Sequence, residues 1–154
     1  MALNPDFVGR KYAVPDIFEV GREHIRSFAL SYGDDNPLYL DGAAAKAAGY
    51  SDVIAPPTFL TTLGFRFRGF GPINDPELGL NYSMVVHGEQ KFAMVRPVVA
   101  GDRLGAVLQV REIRTVGRNE VLSLEMEISD ESGGPVATMT QVIVSRGTAA
   151  AKES

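Results

Sequence analysis

The second half of the chain leaves few choices of fold. Residues 119–129, NEVLSLEMEIS, alternate with a period of two and set Leu122, Leu124, Met126 and Ile128 on one face of a strand. Before them run SMVVHGEQKFAMVR and RLGAVLQVREIRTV, and after them PVATMTQVIVSR, all rich in strand-forming residues. The turns between are short: AGD at 100–102, GRN at 117–119 and the hairpin ESGG. Four strands joined in this way are predicted to form an antiparallel meander, because a parallel neighbour needs a crossover of about a dozen residues or more. A sheet with one apolar face must be covered.

The first half supplies the cover. GREHIRSFALSY places Ile25, Phe28, Ala29 and Tyr32 at helical spacing and stops against Gly33. Asp41 has the character of an N-cap for a short helix over GAAAKAA, which Gly49 ends. The loop GDDNPLYLD, residues 33–41, therefore lies between two helices. Pro57 suits the first position of a third and longer helix, TFLTTLGFRFRGF, whose Phe59, Leu60, Leu63, Gly64 and Phe67 form a wide apolar face. Ile17 to Val20 reads as a weak fifth strand, and the start, with Pro5 and Pro15, reads as irregular. The economical arrangement is an α+β hot dog, an antiparallel sheet wrapped around a long central helix. It occupies residues 1–146 as a single domain, and GTAAAKES at 147–154 is expected to fray. Open strand edges in such a fold invite a second copy or a similar subunit.

Composition removes several functions. A chain of 154 residues, 45% hydrophobic, supports one core and not two. The net charge of −4 comes with no basic block, which argues against nucleic acid and anionic membrane as partners. No apolar run is long enough to span a bilayer, and MALNPDFVGRK lacks the order of a secretory signal, so a cytoplasmic protein is expected. Without cysteine there is no disulfide frame and no thiolate. Two separated histidines, His24 and His87, do not make a zinc site, and neither GxGxxG nor a P-loop is present. No metal and no cofactor are expected.

Three segments in order carry a resemblance. FALSYGDDNPLYLD, AAGYSDVIAPPTF and HGEQKFAMVRPVVAGD resemble the MaoC-like dehydratases, or R-specific enoyl hydratases. The nearest likeness is to the N-terminal-type branch that includes small subunits of (3R)-hydroxyacyl-ACP dehydratases of fatty-acid elongation. The likeness runs from about Phe7 to Arg146. It implies a hot-dog fold, a CoA or acyl-carrier thioester as ligand, addition or removal of water across the α,β bond, and assembly as a homodimer or with a second MaoC-like subunit.

That reaction needs a base for the α-proton, an acid for the departing water and donors for the enolate oxygen. In the active branch an Asp and a His on a loop written GDxNPxHxD supply the first two. Gly33, Asp34, Asn36, Pro37 and Asp41 match this pattern, while Tyr39 stands where the histidine belongs. A phenol keeps its proton at neutral pH and is a poor base there. The family also opens its central helix with a His-Gly pair whose glycine N–H faces the thioester oxygen. Here those positions are Pro56 and Pro57, and proline has no N–H. The Thr58 amide is a partial substitute; losing one such donor costs on the order of 10²- to 10³-fold in rate.

Plainer roles stand beside these. Asp41 is better explained as a cap than as an acid, and Tyr39 as a half-buried aromatic. His87 is the other histidine able to serve as a relocated base, although a structural histidine is the simpler reading, and His24 falls on the polar side of the first helix. Arg66 and Arg68 suit a pantetheine phosphate, an acidic carrier protein or a solvated helix end. Asn36, Pro57, Thr58, Phe59 and Arg66 form the expected substrate-contacting set. The favoured expectation is an acyl-thioester-binding hot-dog subunit without a complete Asp/His pair, completed by a catalytic partner. The alternatives are an active homodimeric hydratase, with Asp34 as base and Tyr39, a water or His87 as acid, and a non-enzymatic thioester-binding protein.

Overall fold

Three long strands, β4 (Arg103–Val116), β5 (Asn119–Asp130) and β6 (Pro135–Ser145), realise the alternation as an antiparallel meander. The computed structural model of the chain describes residues 2–66 and 71–149, with backbone alone at 65 and 66. The apolar face of β5 is buried as expected: Leu122 lies opposite Ile143, Met126 opposite Met139 and Ile128 opposite Ala137.

The earlier strand, β3 (Val85–Met94), does not join this meander as a hairpin with β4. It pairs antiparallel with β6, and the six-stranded sheet runs from a short strand at Lys11–Ala13 through β4, β5 and β6 to β3. Residues 95–102 prevent the hairpin because their backbone groups are committed elsewhere. Val95 donates to the Val136 carbonyl (2.9 Å), Val98 accepts from Ala55 (2.7 Å) and Ala100 donates to Val53 (3.0 Å). Arg96 fixes the crossing with two bonds to Asp102, at 2.8 and 3.1 Å, and sits 3.6 Å from Asp130. The connection thus traverses the end of the sheet.

Two short strands extend the other side of the sheet. β1 (Lys11–Ala13) pairs with residues 107–109 of β4, and β2 (Phe18–Glu19) pairs with Leu104 and Arg103. The weak strand expected near Ile17 is therefore present. The start expected to be irregular also contributes β1, whose three residues are too few to display alternation and are ordered by the ladder they join. The outer edge of β3 carries exposed Val86 and Met94. An uncovered edge of this kind is a natural place for a partner strand.

Helix α1 (Arg22–Ser31) buries Ile25 and Ala29, four residues apart on one face. Gly33 follows at φ 81°, a left-handed turn that favours glycine. Two short helices come next, α2 (Pro37–Leu40) and α3 (Gly42–Ala47); Asp41 caps α3 by accepting the Ala43 N–H at 2.8 Å. The central helix differs most from expectation. Residues 57–60 form a turn, and helix α4 is described over Thr61–Arg66, so Pro57 is not its first residue. The cause is local. Pro56 accepts from the Phe59 N–H (2.9 Å), and Thr58 accepts both the N–H and the hydroxyl of Thr61, at 3.1 and 2.7 Å. These three-residue spans hold the entry tight and delay the four-residue ladder. Phe59, Leu60 and Leu63 nevertheless reach the core. Phe67, expected on the same face, lies outside the described residues.

Residues 147–149, expected to fray, are bound: Gly147 donates to Asn119 Oδ1 (3.0 Å), Thr148 to Glu120 Oε2 (2.9 Å) and Ala149 to the Arg118 carbonyl (3.3 Å). Glu120 is buried at 4% exposure and also accepts the Leu3 N–H through both carboxylate oxygens, at 2.9 and 3.0 Å. One carboxylate therefore holds both ends of the described chain. Glu120→Ala is expected to leave the Leu3 amide unpaired and cost about 1–3 kcal/mol, read as a lower urea midpoint and faster proteolysis near Leu3.

A second electrostatic link joins α1 to the segment before the central turn. Arg22 meets Asp52 through Nε (3.0 Å) and Nη2 (2.5 Å), and the Val53 N–H adds 2.7 Å. The Arg22 guanidinium first, then the Val53 amide, pulls the Asp52 carboxyl down to about 2 from 3.8. Because the folded value lies below the unfolded one, this pair contributes fully above pH 3.8 and fades as pH falls toward 2. With half of the Arg22 side chain exposed, solvent screening keeps the contribution small. Asp52→Asn is expected to flatten the acid limb of stability against pH between those values, measured by urea unfolding.

Candidate functional site

The loop after α1 is clamped from several sides. The Asp34 N–H returns to the Ala29 carbonyl (3.0 Å), Arg26 Nε donates to the Leu40 carbonyl (2.8 Å), and the Ile54 N–H donates to the Leu38 carbonyl (3.0 Å). Asn36 spends its side-chain oxygen on capping α2, accepting the Leu38 N–H at 3.0 Å. Asp34 is half-buried. Its Oδ1 accepts the Asn36 N–H at 3.1 Å, and its Oδ2 lies 3.4 Å from the Tyr32 hydroxyl.

Tyr32 was legible only as part of the helix face, and its role beside Asp34 was missed. Burial first, then the charge and hydrogen bond of Asp34, then Tyr39, push the Tyr32 phenol above its ordinary range. Tyr39 itself is half-buried against the core. Around Asp34 the structure thus gathers the carboxylate, the Asn36 amide and the Tyr32 phenol.

The remaining predicted residues are distributed around this loop. Pro56 is buried, whereas Pro57 and Thr58 are exposed; among the described residues no group accepts the Thr58 N–H. Phe59 is 1% exposed, 6.2 Å from the Phe18 ring and 5.5 Å edge-on to Phe28. His87 is exposed on β3 and its Nε2 donates to the Glu89 carbonyl (3.0 Å) across the irregularity at Gly88. The Arg66 side chain and all of Arg68 lie outside the described residues. His24, expected to be merely solvated, stacks on Phe18 with ring centres 6.3 Å apart and planes 23° from parallel.

Two concavities meet at that stack. One, of about 450 Å³, runs between α1 and the central turn, walled by Phe18, Phe28 and Phe59. Two of its three hydroxyls bond back to the chain: Ser31 donates to the Phe28 carbonyl (2.7 Å) and Thr62 to the Phe59 carbonyl (2.8 Å), with Ser27 the third. The groove is therefore mostly apolar. The other, of about 800 Å³, is an open cleft with Asp16, Glu19, Asp102 and Arg103 around it. Arg103 is held by Glu131 at 2.9 Å and by Glu19. No cluster of three or more metal-ligating side chains occurs among the described residues. No helix among them is long and apolar enough to cross a membrane.

Residues 6–139 match the family described as FAS1-like, dehydratase domain region. The chain is a FAS1-like dehydratase-region protein. A UPF0336 protein of Parafrankia sp. (strain EAN1pec) is 56% identical to it over 149 residues, spanning 97% of this chain and 98% of the relative. A chain of the C-terminally truncated HadBC complex, a (3R)-hydroxyacyl-ACP dehydratase from Mycobacterium tuberculosis, superposes with a TM-score of 0.78 at 26% identity, covering 92% of this chain and 99% of that one. A MaoC-like dehydratase gives a TM-score of 0.83 at 30% identity over 91% of this chain, but the match spans only 42% of that longer molecule. The hot-dog fold and the MaoC likeness carried by the three sequence segments are thereby established. Within this FAS1-like dehydratase region, the loop carries Asp34, with Tyr39 five residues beyond it.

Proposed function

We propose that this chain is the acyl-thioester-binding subunit of a (3R)-hydroxyacyl thioester dehydratase, and that the complete Asp/His pair sits on a second hot-dog subunit. The observation that carries the reading is the environment of Asp34: an amide and a phenol meet its oxygens, and Tyr39 occupies the histidine position. A carboxylate can take the α-proton, but water departure also needs an acid that gives up its proton readily. The phenol beside Asp34 is a weaker acid than usual, which opposes that role. Likeness to one half of a longer MaoC-like dehydratase supports a two-unit enzyme. The open β3 edge supports a protein partner, and the reading implies a cytoplasmic place in fatty-acid metabolism, with CoA or acyl carrier protein bearing the ligand.

The active homodimer remains the second reading, because Asp34 is held in a fixed orientation as a base would be. The two separate on purified material. The chain alone is expected to hydrate crotonyl-CoA at the buffer rate. Mixed with a MaoC-like subunit that carries GDxNPxHxD, it should support turnover that Asp34→Asn in this chain changes less than threefold. Enzyme-like turnover by the chain alone, abolished by Asp34→Asn, selects the homodimer instead.

A further inference from the structure

Strand β3 closes one side of the sheet, and among the described residues no strand lies beyond it. Its free edge runs for 10 residues, Val85–Met94, and leaves a row of backbone donors and acceptors facing outward. Edges of this kind are guarded against indiscriminate pairing by a lysine or an irregularity, and β3 has both, Lys91 and the register break between His87 and Glu89. The lysine has a counterpart two residues away. Glu89, Gln90 and Lys91 read negative, neutral, positive, and beside a strand running the opposite way that order meets positive, neutral, negative. Both charged side chains stand on the outer face of the sheet, opposite Thr140 and Val142 of β6, whereas Phe92 faces the buried Met139. They already pair within the chain at 3.2 Å, and the lysine is 66% and the glutamate 50% exposed.

We propose that a second copy of this chain occupies the edge, with β3 pairing antiparallel to β3 about a two-fold axis at Gln90. Directly opposite residues of an antiparallel pair share a face, so this register sets Glu89 of each copy against Lys91 of the other. Moving the axis to Glu89 or to Lys91 sets like charges against each other, which selects the centre at Gln90. The same arrangement lays the Val86 end of one strand beside the Met94 end of the other, and these side chains, 39% and 38% exposed, lose contact with water. The contact is isologous and closes on itself, so it stops at two copies. The inference goes beyond the subunit reading, because it fixes what the chain pairs with when no companion is present. Tyr39 stands at the histidine position in both copies, so self-pairing supplies no imidazole. On the subunit reading, exchange of one copy for the companion supplies it.

Sedimentation velocity of the intact protein over a concentration series tests the pairing with no thioester and no turnover, so its outcome is separate from that of the subunit reading. The native chain is expected to sediment as a dimer that dissociates on dilution. Glu89→Lys and Lys91→Glu each convert two opposite-charge pairs into two like-charge pairs and should raise the dimer Kd about tenfold or more. An equimolar mixture of the two variants should recover the native affinity, because every lysine then faces a glutamate again. Glu89→Lys combined with Lys91→Glu in one chain should dimerise as the native chain does. A native chain that stays monomeric throughout the series overturns the proposal, as does a dimer that both single variants leave intact or a mixture of the two that stays dissociated.

Discussion

Tyr39→His is expected to raise the hydration rate of crotonyl-CoA by the isolated chain about 10²-fold, the lower end of what a positioned acid–base group contributes. Tyr39 sits on the same clamped loop as Asp34, five residues on, at the position where GDxNPxHxD carries its histidine, so an imidazole placed there restores the pattern around the carboxylate. The clamps on the loop, from Ala29, Leu40 and Ile54, do not involve the Tyr39 side chain and should survive the change. The gain stays at the lower end because Pro57 still offers no amide hydrogen to the developing enolate. Loss of enoyl absorbance measures the rate. Asp34→Asn added to Tyr39→His should return it to the starting value, and an unchanged rate in Tyr39→His alone would mean that the loop cannot orient an imidazole toward Asp34.

Phe59→Ala carries the largest expected cost in stability. The ring is 1% exposed and packs against Phe18 at 6.2 Å and Phe28 at 5.5 Å, with neighbours on both the helical layer and the sheet. Removing a buried phenyl group of this kind costs about 3–5 kcal/mol. A domain of this size holds roughly 5–15 kcal/mol in total, so about a fifth or more of the margin disappears. Urea unfolding should show a much lower midpoint with a similar slope. Tyr82→Ala is the contrasting change, since Tyr82 is 74% exposed and its removal should move stability by less than about 0.5 kcal/mol.

The parts legible in the sequence were those set by local periodicity and local chemistry. The buried face of β5, the span of α1 and the Asp41 cap follow from spacing within a dozen residues, and the structure reproduces each. What was missed depends on partners remote in the chain. The hairpin expected at AGD is absent because residues 53–55 compete for the backbone of 98–100, and nothing in either segment alone announces the other. The site divides in the same way. Asp34, Asn36 and Tyr39 were visible through a motif, and their placement is now described. The Phe18–His24 stack joins β2 to α1 through space, and the spacing from Tyr32 to Asp34 carries no signal until a turn folds the phenol back on the carboxylate.

The path of residues 95–102 has a consequence for synthesis on the ribosome. Val53 and Ala55 find their backbone partners in Ala100 and Val98, β1 and β2 find theirs in β4, and β3 finds its own in β6. Every one of these ladders closes toward the C-terminus, so the aromatic layer around Phe59 waits uncovered while the nascent strands emerge. Such long-separated pairing slows the search for the native topology and exposes sticky surface during it. The speed with which β4 to β6 close over that layer then governs how much of the product escapes aggregation.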